Sequence, residues 1–173
     1  MTRNELSRKI FAISNLKGEF MLRSGQTSNE YFDKYLFEAE PSILKAIAEE
    51  MSALIPSNAE KLAGLEMGGI PIATMLSRVT GIPAIFVRKK AKTYGTCKLA
   101  EGGTVSGKSL VVIEDVVTSG GQIVESVRVL RSMGAFVMDV LCVIDRESGG
   151  KQNLETIGLT LHSLFTMSEL KNS

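Results

Sequence analysis

The chain of 173 residues has no tryptophan, one histidine and two cysteines, and each scarcity excludes a class of chemistry. Cys97 and Cys142 lie far apart, with neither paired nor metal-ligand spacing around them, so the sequence carries no disulfide framework and no zinc-type cysteine motif. His162 has no partner motif and its alternating setting reads as structural; no triad-like arrangement calls for a covalent Ser, Cys or His nucleophile. The net charge of +1 gives no general attraction to nucleic acid or to an anionic membrane, so any basic function has to be local. No apolar run approaches the length needed to cross a bilayer, and Met1-Thr2-Arg3-Asn4-Glu5-Leu6 lacks the apolar core of a signal peptide. A soluble protein of the reducing cytoplasm, with free thiols, is expected.

What is present is ordinary globular usage, 44% hydrophobic and 23% charged. One domain spanning residues 1–173 is expected, long enough to bury roughly 70% of the surface its unfolded form would expose. The most informative tract is Leu110-Val111-Val112-Ile113-Glu114-Asp115-Val116-Val117-Thr118-Ser119-Gly120-Gly121-Gln122. An unbroken apolar run suits a strand buried on both faces, as in a parallel sheet, and the ligands of such sheets sit beyond the strands' carboxyl ends. Glu114 and Asp115 would stand at the mouth of that site. Ser119, Gly120 and Gly121 then offer unhindered N–H groups at a helix start, where the dipole favours an anion, and Thr118 and Ser119 add hydroxyls. A strand ending in a plain glycine turn is the alternative, but carboxylates repel phosphate, so acids beside an anion cradle suit ribose hydroxyls or a hydrated cation. A phosphorylated sugar presents both kinds of group.

The rest of the chain alternates helical and strand patterns. Thr2 and Glu5 have capping-box spacing ahead of a stripe that predicts a helix over 3–15. Residues 19–24 and the aromatic run 31–37 predict two short strands joined by a polar turn. Pro41 opens an amphipathic helix that ends before Pro56; residues 62–66 read as a buried strand, and Gly68-Gly69-Ile70-Pro71 as a turn into a helix carrying Ile72, Leu76 and Val79. A strand over 84–87 precedes a basic stretch, and a polar segment with no apolar periodicity runs to Gly107. Ile123, Val127, Leu130 and Met133 share a helix face capped by Gly134, followed by a strand over 137–144. A polar connection over 147–153, a strand around 159–165 and a brief helix from Ser168 complete an α/β fold with a mostly parallel sheet.

Beyond the central tract, Arg88, Lys89, Lys90, Lys92 and Lys98 crowd a segment with no hydrophobic pattern. Such a run is commonly a solvated loop, yet it starts at a strand end, on the edge where Glu114 and Thr118 lie, and its cations could close over a polyphosphate. Two unit charges 4 Å apart attract by about 1 kcal/mol in water but roughly 4 kcal/mol at an effective dielectric of 20, so closure would strengthen that contact. Arg146 follows Asp145 at another strand end and is open to ligand contact or to a salt bridge with Asp145 or Glu147. Arg23 reads as a turn residue, and Tyr31 and Phe32 read as core.

The tract from Val111 to Gly121 resembles the phosphoribosyl-pyrophosphate motif of the type I phosphoribosyltransferases. Phe20-Met21-Leu22-Arg23-Ser24-Gly25 with Tyr31-Phe32-Asp33, Glu66-Met67-Gly68-Gly69-Ile70-Pro71, and Arg88-Lys89-Lys90-Ala91-Lys92 through Gly95 are similar, in that order, to orotate phosphoribosyltransferases. The likeness spans about residues 10–170. It implies the type I fold, a mostly parallel sheet flanked by helices, with a small hood formed by about residues 1–40 and the C-terminal end. It also implies that orotate and phosphoribosyl pyrophosphate give orotidine 5′-monophosphate and pyrophosphate in pyrimidine synthesis. Mg²⁺ is then expected mainly through the substrate, with no metal site made of protein alone. By resemblance, Glu114 and Asp115 hold ribose hydroxyls, Asp115 and Lys92 are catalytic, and the donor site includes Val116, Val117, Thr118, Ser119, Gly120, Gly121 and Gln122. Arg88, Lys89 and Lys92 engage pyrophosphate, while Thr118 and Arg146 contact orotate, whose planar carboxylated ring suits a guanidinium fork. A homodimer lending its basic loop between subunits is implied, with neither nucleic acid nor membrane as partner.

The chain departs from that pattern in places. Many relatives carry histidine where this loop has Tyr94, some place lysine in the turn that here reads Met67-Gly68, and Arg23 stands where lysine is frequent. A phosphoribosyltransferase for another base, and a non-catalytic sensor of phosphoribosyl pyrophosphate, remain as alternatives. The sensor would be expected to carry a DNA-binding extension, for which residues 1–18 are neither basic nor long enough.

Overall fold

The structure is a computed structural model and describes residues 1–22, 24–90 and 99–173. Its centre is β6 (Ser109–Val117), the strand of the apolar run, in a six-stranded sheet of order β5-β4-β3-β6-β7-β8. β3 (Lys61–Leu65), β4 (Ala84–Val87), β7 (Phe136–Asp145) and β8 (Thr160–Thr166) run parallel to it, and the two-residue β5 (Ala100–Glu101) pairs antiparallel with β4. The period of two along β6 sends Val111 and Ile113 into one core and Leu110 and Val112 into the other. The first core is covered by α1 (Arg3–Ser14), α2 (Lys34–Ala39), α3 (Pro41–Ser52) and α4 (Gly69–Thr80). The second lies under α5 (Gly121–Ser132) and α6 (Gly150–Glu155). Both faces of the sheet are therefore buried, as the unbroken apolar run requires.

The connections decide where a ligand can sit. After β3 the chain crosses through α4 to β4 on one side, whereas after β6 it crosses through α5 to β7 on the other. The carboxyl ends of β3 and β6 thus flank the topological switch point, where the two crossovers diverge and leave a crevice. The α/β class, the parallel sheet and the helices over 3–15, 41–55 and 121–132 accord with the sequence pattern, with ends shifted by a few residues. Thr2 and Glu5 form the anticipated capping box, and a second one, Thr166 with Glu169, opens α7 (Met167–Lys171).

Two segments differ from expectation. The hairpin exists, but its strands are β1 (Asn15–Met21) and β2 (Thr27–Phe32), and the aromatic run continues as α2 rather than as strand. Asp33 causes the break: its carboxylate accepts the Tyr35 N–H at 3.1 Å and caps the helix, and Phe37 is then fully buried in the same core as Leu6 and Ile10. Aromatic strand propensity yields to that burial. The other difference is α6, which replaces most of the polar connection over 147–153; at six residues with a Gly-Gly start it has no apolar periodicity to announce it.

Core and surface should respond to truncation very differently. Ile47→Ala, at a fully buried position of α3, should lower stability by about 2–5 kcal/mol. Met138→Ala, at an exposed position of β7, should change it by less than about 0.5 kcal/mol. Urea midpoints at constant slope would check both.

Candidate active site

At the end of β6 the side chains keep their alternation. Glu114 is half-buried and lines a cavity of about 310 Å³ together with Lys34 and the turn that runs through Val116, Val117, Thr118, Ser119, Gly120, Gly121 and Gln122. Thr118 and Ser119 are exposed within that turn. Gly120 has φ 73°, and a Cβ there would lie 3.3 Å from the Leu154 side chain, so the position admits glycine on two counts. It opens α5 with no side-chain cap and no acid in the first turn, which leaves the helix N–H groups for an anion. The unanticipated α6 props the turn from behind: Asn153 Nδ2 donates to the Ser119 carbonyl at 2.8 Å, and Leu154 packs beside Gly120.

Asp115 does not line this cavity. It is 0% exposed and points under the β3–α4 connection, where its Oδ2 meets Lys34 Nζ at 2.5 Å and its Oδ1 accepts the Val116 N–H at 2.5 Å. A Cβ on Gly68 would fall 1.6 Å from Asp115 Oδ2, so only glycine lets the connection pass over the carboxylate. The Glu66–Met67 peptide in the same connection is cis. Behind Asp115 lies Glu38, only 6% exposed, with Oε1 buried and without a hydrogen-bond donor among the described residues.

Glu38 and Glu114 share this crowded surrounding with Lys34, and the titration of all three reflects it. Burial, then the hydrogen bond and charge of Asp115, push Glu38 up to about 9. Glu114 is held well above the usual carboxylate range by burial first and by Asp115 second, against the pull of Lys34 and Lys89. Burial works to lower Lys34, but its hydrogen bond and ion pair with Asp115 outweigh it and leave the ammonium above its ordinary value. Lys34 and Glu38 escaped the sequence reading. Their i,i+4 spacing would have placed them on one helix face, but only after α2 had been recognised as a helix.

The remaining candidates fall around the same edge. Arg146 lines a second cavity, about 220 Å³, with Phe11, Ser28, Tyr31 and Phe32 of the α1–hairpin region. Its N–H donates to the Val117 carbonyl at 2.9 Å, which joins the two cavities through the backbone beside Thr118. Both acids flanking it are engaged elsewhere, Asp145 with the Glu147 N–H at 2.9 Å and Glu147 with the Ser168 N–H at 2.9 Å. Lys89 is exposed, and its N–H donates to the Glu66 carboxylate, tying the basic stretch to the β3–α4 connection. Arg88 is turned aside, 3.8 Å from Glu101. Lys92, Tyr94, Cys97, Lys98 and Arg23 lie outside the described residues. Cys142 is a free, buried thiol, and His162 meets Asp139 across β7 and β8 at 2.8 Å. A larger opening of about 640 Å³ between α1 and α7, at Arg3, Ser7 and Phe165, shares no residue with either cavity.

Residues 37–157 match the model of the phosphoribosyl transferase domain. The chain is 52% identical over 165 residues to an orotate phosphoribosyltransferase of a Nocardioides species, covering 95% of this chain and 92% of that one. It belongs to the orotate phosphoribosyltransferase family. The solved structure of the orotate phosphoribosyltransferase of Mycobacterium tuberculosis superposes with a TM-score of 0.89 at 30% identity, covering 97% of this chain and 98% of that one. A structure of the same mycobacterial enzyme in complex with 5-phospho-alpha-D-ribosyl 1-diphosphate gives 0.85 at 27% identity, with 98% of each chain covered. Among orotate phosphoribosyltransferases, then, this one presents a phosphate-type turn, a cavity-facing Glu114 and a sequestered Asp115.

The close approach at Gly68 makes a sharp test. Gly68→Ala puts a methyl against the Asp115 carboxylate and should lower stability by about 1–3 kcal/mol. Gly68 has φ −69°, which alanine adopts without strain, so the loss there is the contact's, whereas Gly107→Ala meets nothing within 4 Å and strains only the backbone at φ 71°. Urea denaturation of both would measure the contact at one position and the backbone term at the other.

Proposed function

We propose that the chain transfers the 5-phosphoribosyl group from phosphoribosyl pyrophosphate to orotate, forming orotidine 5′-monophosphate and pyrophosphate in pyrimidine synthesis. The observation that carries this reading is the convergence, at one sheet edge, of an uncapped helix start, a cavity-lining carboxylate and an arginine free of its neighbouring acids. The 5′-phosphate is taken by the N–H groups at Gly120, Gly121 and Gln122 and the hydroxyls of Thr118 and Ser119, within the turn of Val116 and Val117. Glu114 accepts from the ribose hydroxyls; its Oε2 is buried without a donor among the described residues. Arg146 pairs with the orotate carboxylate over Tyr31 and Phe32, with Thr118 alongside.

In the transfer, a bond forms from an orotate ring nitrogen to the anomeric carbon as the bond from that carbon to pyrophosphate breaks, through an oxocarbenium-like sugar. The protein's task is to hold the two in line and to stabilise departing negative charge. Lys89 and Lys92, with Arg88 once released from Glu101, supply that charge. When bound, Mg²⁺ would neutralise part of the departing charge, held mainly through the substrate's polyphosphate oxygens. Residues 1–40 and the C-terminal end act as a hood within one domain, the active unit is a homodimer with the basic loop shared between subunits, and the protein works in the cytoplasm. No helix among the described residues is long and apolar enough to cross a membrane.

Incubation with Mg²⁺, phosphoribosyl pyrophosphate and a panel of bases should show loss of orotate absorbance with pyrophosphate release, and turnover of uracil or a purine instead of orotate would overturn the assignment. Arg146→Ala should raise the KM for orotate roughly 10- to 100-fold, the loss of a charge-assisted pair. Lys92→Ala should instead lower kcat by about 10²-fold or more. Mixing the two variants should recover part of the activity if sites are shared between subunits; no recovery would argue for self-contained protomers.

A further inference from the structure

A turn that takes a phosphate has to present N–H groups to the cavity and keep its carbonyl oxygens out of it, since an oxygen aimed at the anion repels it. Here those carbonyls are engaged on the far side. The Val117 oxygen accepts from the Arg146 N–H at 2.9 Å, and the Gly120 oxygen accepts from the Val124 N–H at 3.0 Å as α5 begins. Between them the Thr118 carbonyl lies against Gly150, where a Cβ would fall 2.5 Å from its oxygen, and the Ser119 oxygen accepts from Asn153 Nδ2 at 2.8 Å. Three consecutive carbonyls thus meet the short segment from Arg146 to Asn153. Neither Gly150 nor Asn153 lines the cavity of the turn.

The peptide between Ser119 and Gly120 is the one that most needs such a hold. Gly120 stands at φ 73°, and glycine accepts positive and negative φ about equally, so the peptide ahead of it can rotate at little steric cost. Rotated, it would turn the Ser119 oxygen toward the cavity and withdraw the Gly120 N–H. A side chain at position 120 would meet Leu154 at 3.3 Å, so the restraint has to come from outside the turn. α6 offers it from a fixed base: Leu154 is fully buried, and the Ile157 carbonyl just beyond the helix accepts from Arg131 Nη1 at 2.8 Å. A carboxamide donates there without placing a charge beside the anion.

We propose that Asn153 is a positioning residue of the donor site: it does not touch the donor, but through the Ser119 carbonyl it selects the orientation of the Ser119–Gly120 peptide in which the Gly120 N–H faces the 5′-phosphate. This deepens the ribosyl-transfer reading and rests on it. The same segment carries Arg146 at its other end, so one stretch of chain sets the backbone of the donor turn and reaches the second cavity.

The experiment titrates ribose 5-phosphate and, separately, inorganic pyrophosphate with Mg²⁺ into wild type, Asn153→Ala and Asn153→Asp by calorimetry, with KM and kcat measured alongside. Asn153→Ala loses one neutral hydrogen bond, so its Kd for ribose 5-phosphate should rise by about 3- to 10-fold. Pyrophosphate, which corresponds to the opposite end of the donor, should bind within about twofold of wild type, and the thermal midpoint should scarcely move because Asn153 is exposed. KM for phosphoribosyl pyrophosphate should follow the ribose 5-phosphate affinity, while kcat at saturation and KM for orotate stay within about twofold. Asn153→Asp keeps the shape but offers no N–H, and should lose at least as much. Unchanged ribose 5-phosphate affinity in either variant, or an equal loss for both ligands, would overturn the proposal. The binding measurement needs no base, so failure to turn over orotate would leave it standing, whereas a wild type that bound no ribose 5-phosphate would overturn the donor site and this proposal together.

Discussion

The ion pair between Lys34 and Asp115 is the contact around which the site is arranged. It is buried at the switch point of the sheet, and its carboxylate lies so close under the chain that position 68 has room for a hydrogen and no more. Such a pair gives up hydration on both sides, and its attraction does little more than offset that loss, so its value lies in fixing one arrangement rather than in stability. Removing Lys34 would leave the Asp115 carboxylate buried and uncompensated. The pair ties three elements that are distant in sequence, α2, the β3–α4 connection and the end of β6, into one assembly at the mouth of the crevice.

From that arrangement follows the division of charge around the ligand. Negative groups are concentrated beneath the connection, and the acid that reaches the cavity, Glu114, is held toward its neutral form by burial and by Asp115. Around it stand groups suited to anions: the uncapped start of α5, the exposed Thr118 and Ser119, and the basic stretch that opens at Arg88 and is anchored by Lys89 to Glu66. A phosphorylated sugar needs both halves, hydroxyl acceptors on one side and anion donors on the other. The hairpin and α1 add a smaller, aromatic-lined space at Arg146, reached through the backbone bond to Val117. Size does not identify the site, since the larger opening at Arg3 and Phe165 is lined by neither the turn after β6 nor Arg146.

Much of this was legible in the chain. The run over 110–113 announced a doubly buried strand because no polar residue interrupts it, and the turn after it could be placed because glycine and hydroxyl residues leave few other uses for a helix start. Arg146 could be put on the same edge by strand counting alone. The burial of Asp115 was not legible: adjacent acids in a motif look equivalent, and only the alternation of a strand with both faces buried sends one to the cavity and the other inward. Lys34 and Glu38 were hidden by the aromatic run from Tyr31 to Phe37, whose strand propensity masks the cap at Asp33. The prop supplied by α6 was hidden by its length. In each case the missing information was a tertiary contact: Phe37 entering the core, Asn153 reaching Ser119, and Lys34 reaching Asp115.

The most direct test of the account is a crystal structure with phosphoribosyl pyrophosphate and Mg²⁺ bound. It predicts the Glu114 carboxylate within hydrogen-bond distance of the ribose hydroxyls, with Asp115 still paired with Lys34. An Asp115 swung out onto the sugar, with Lys34 detached from it, would contradict it.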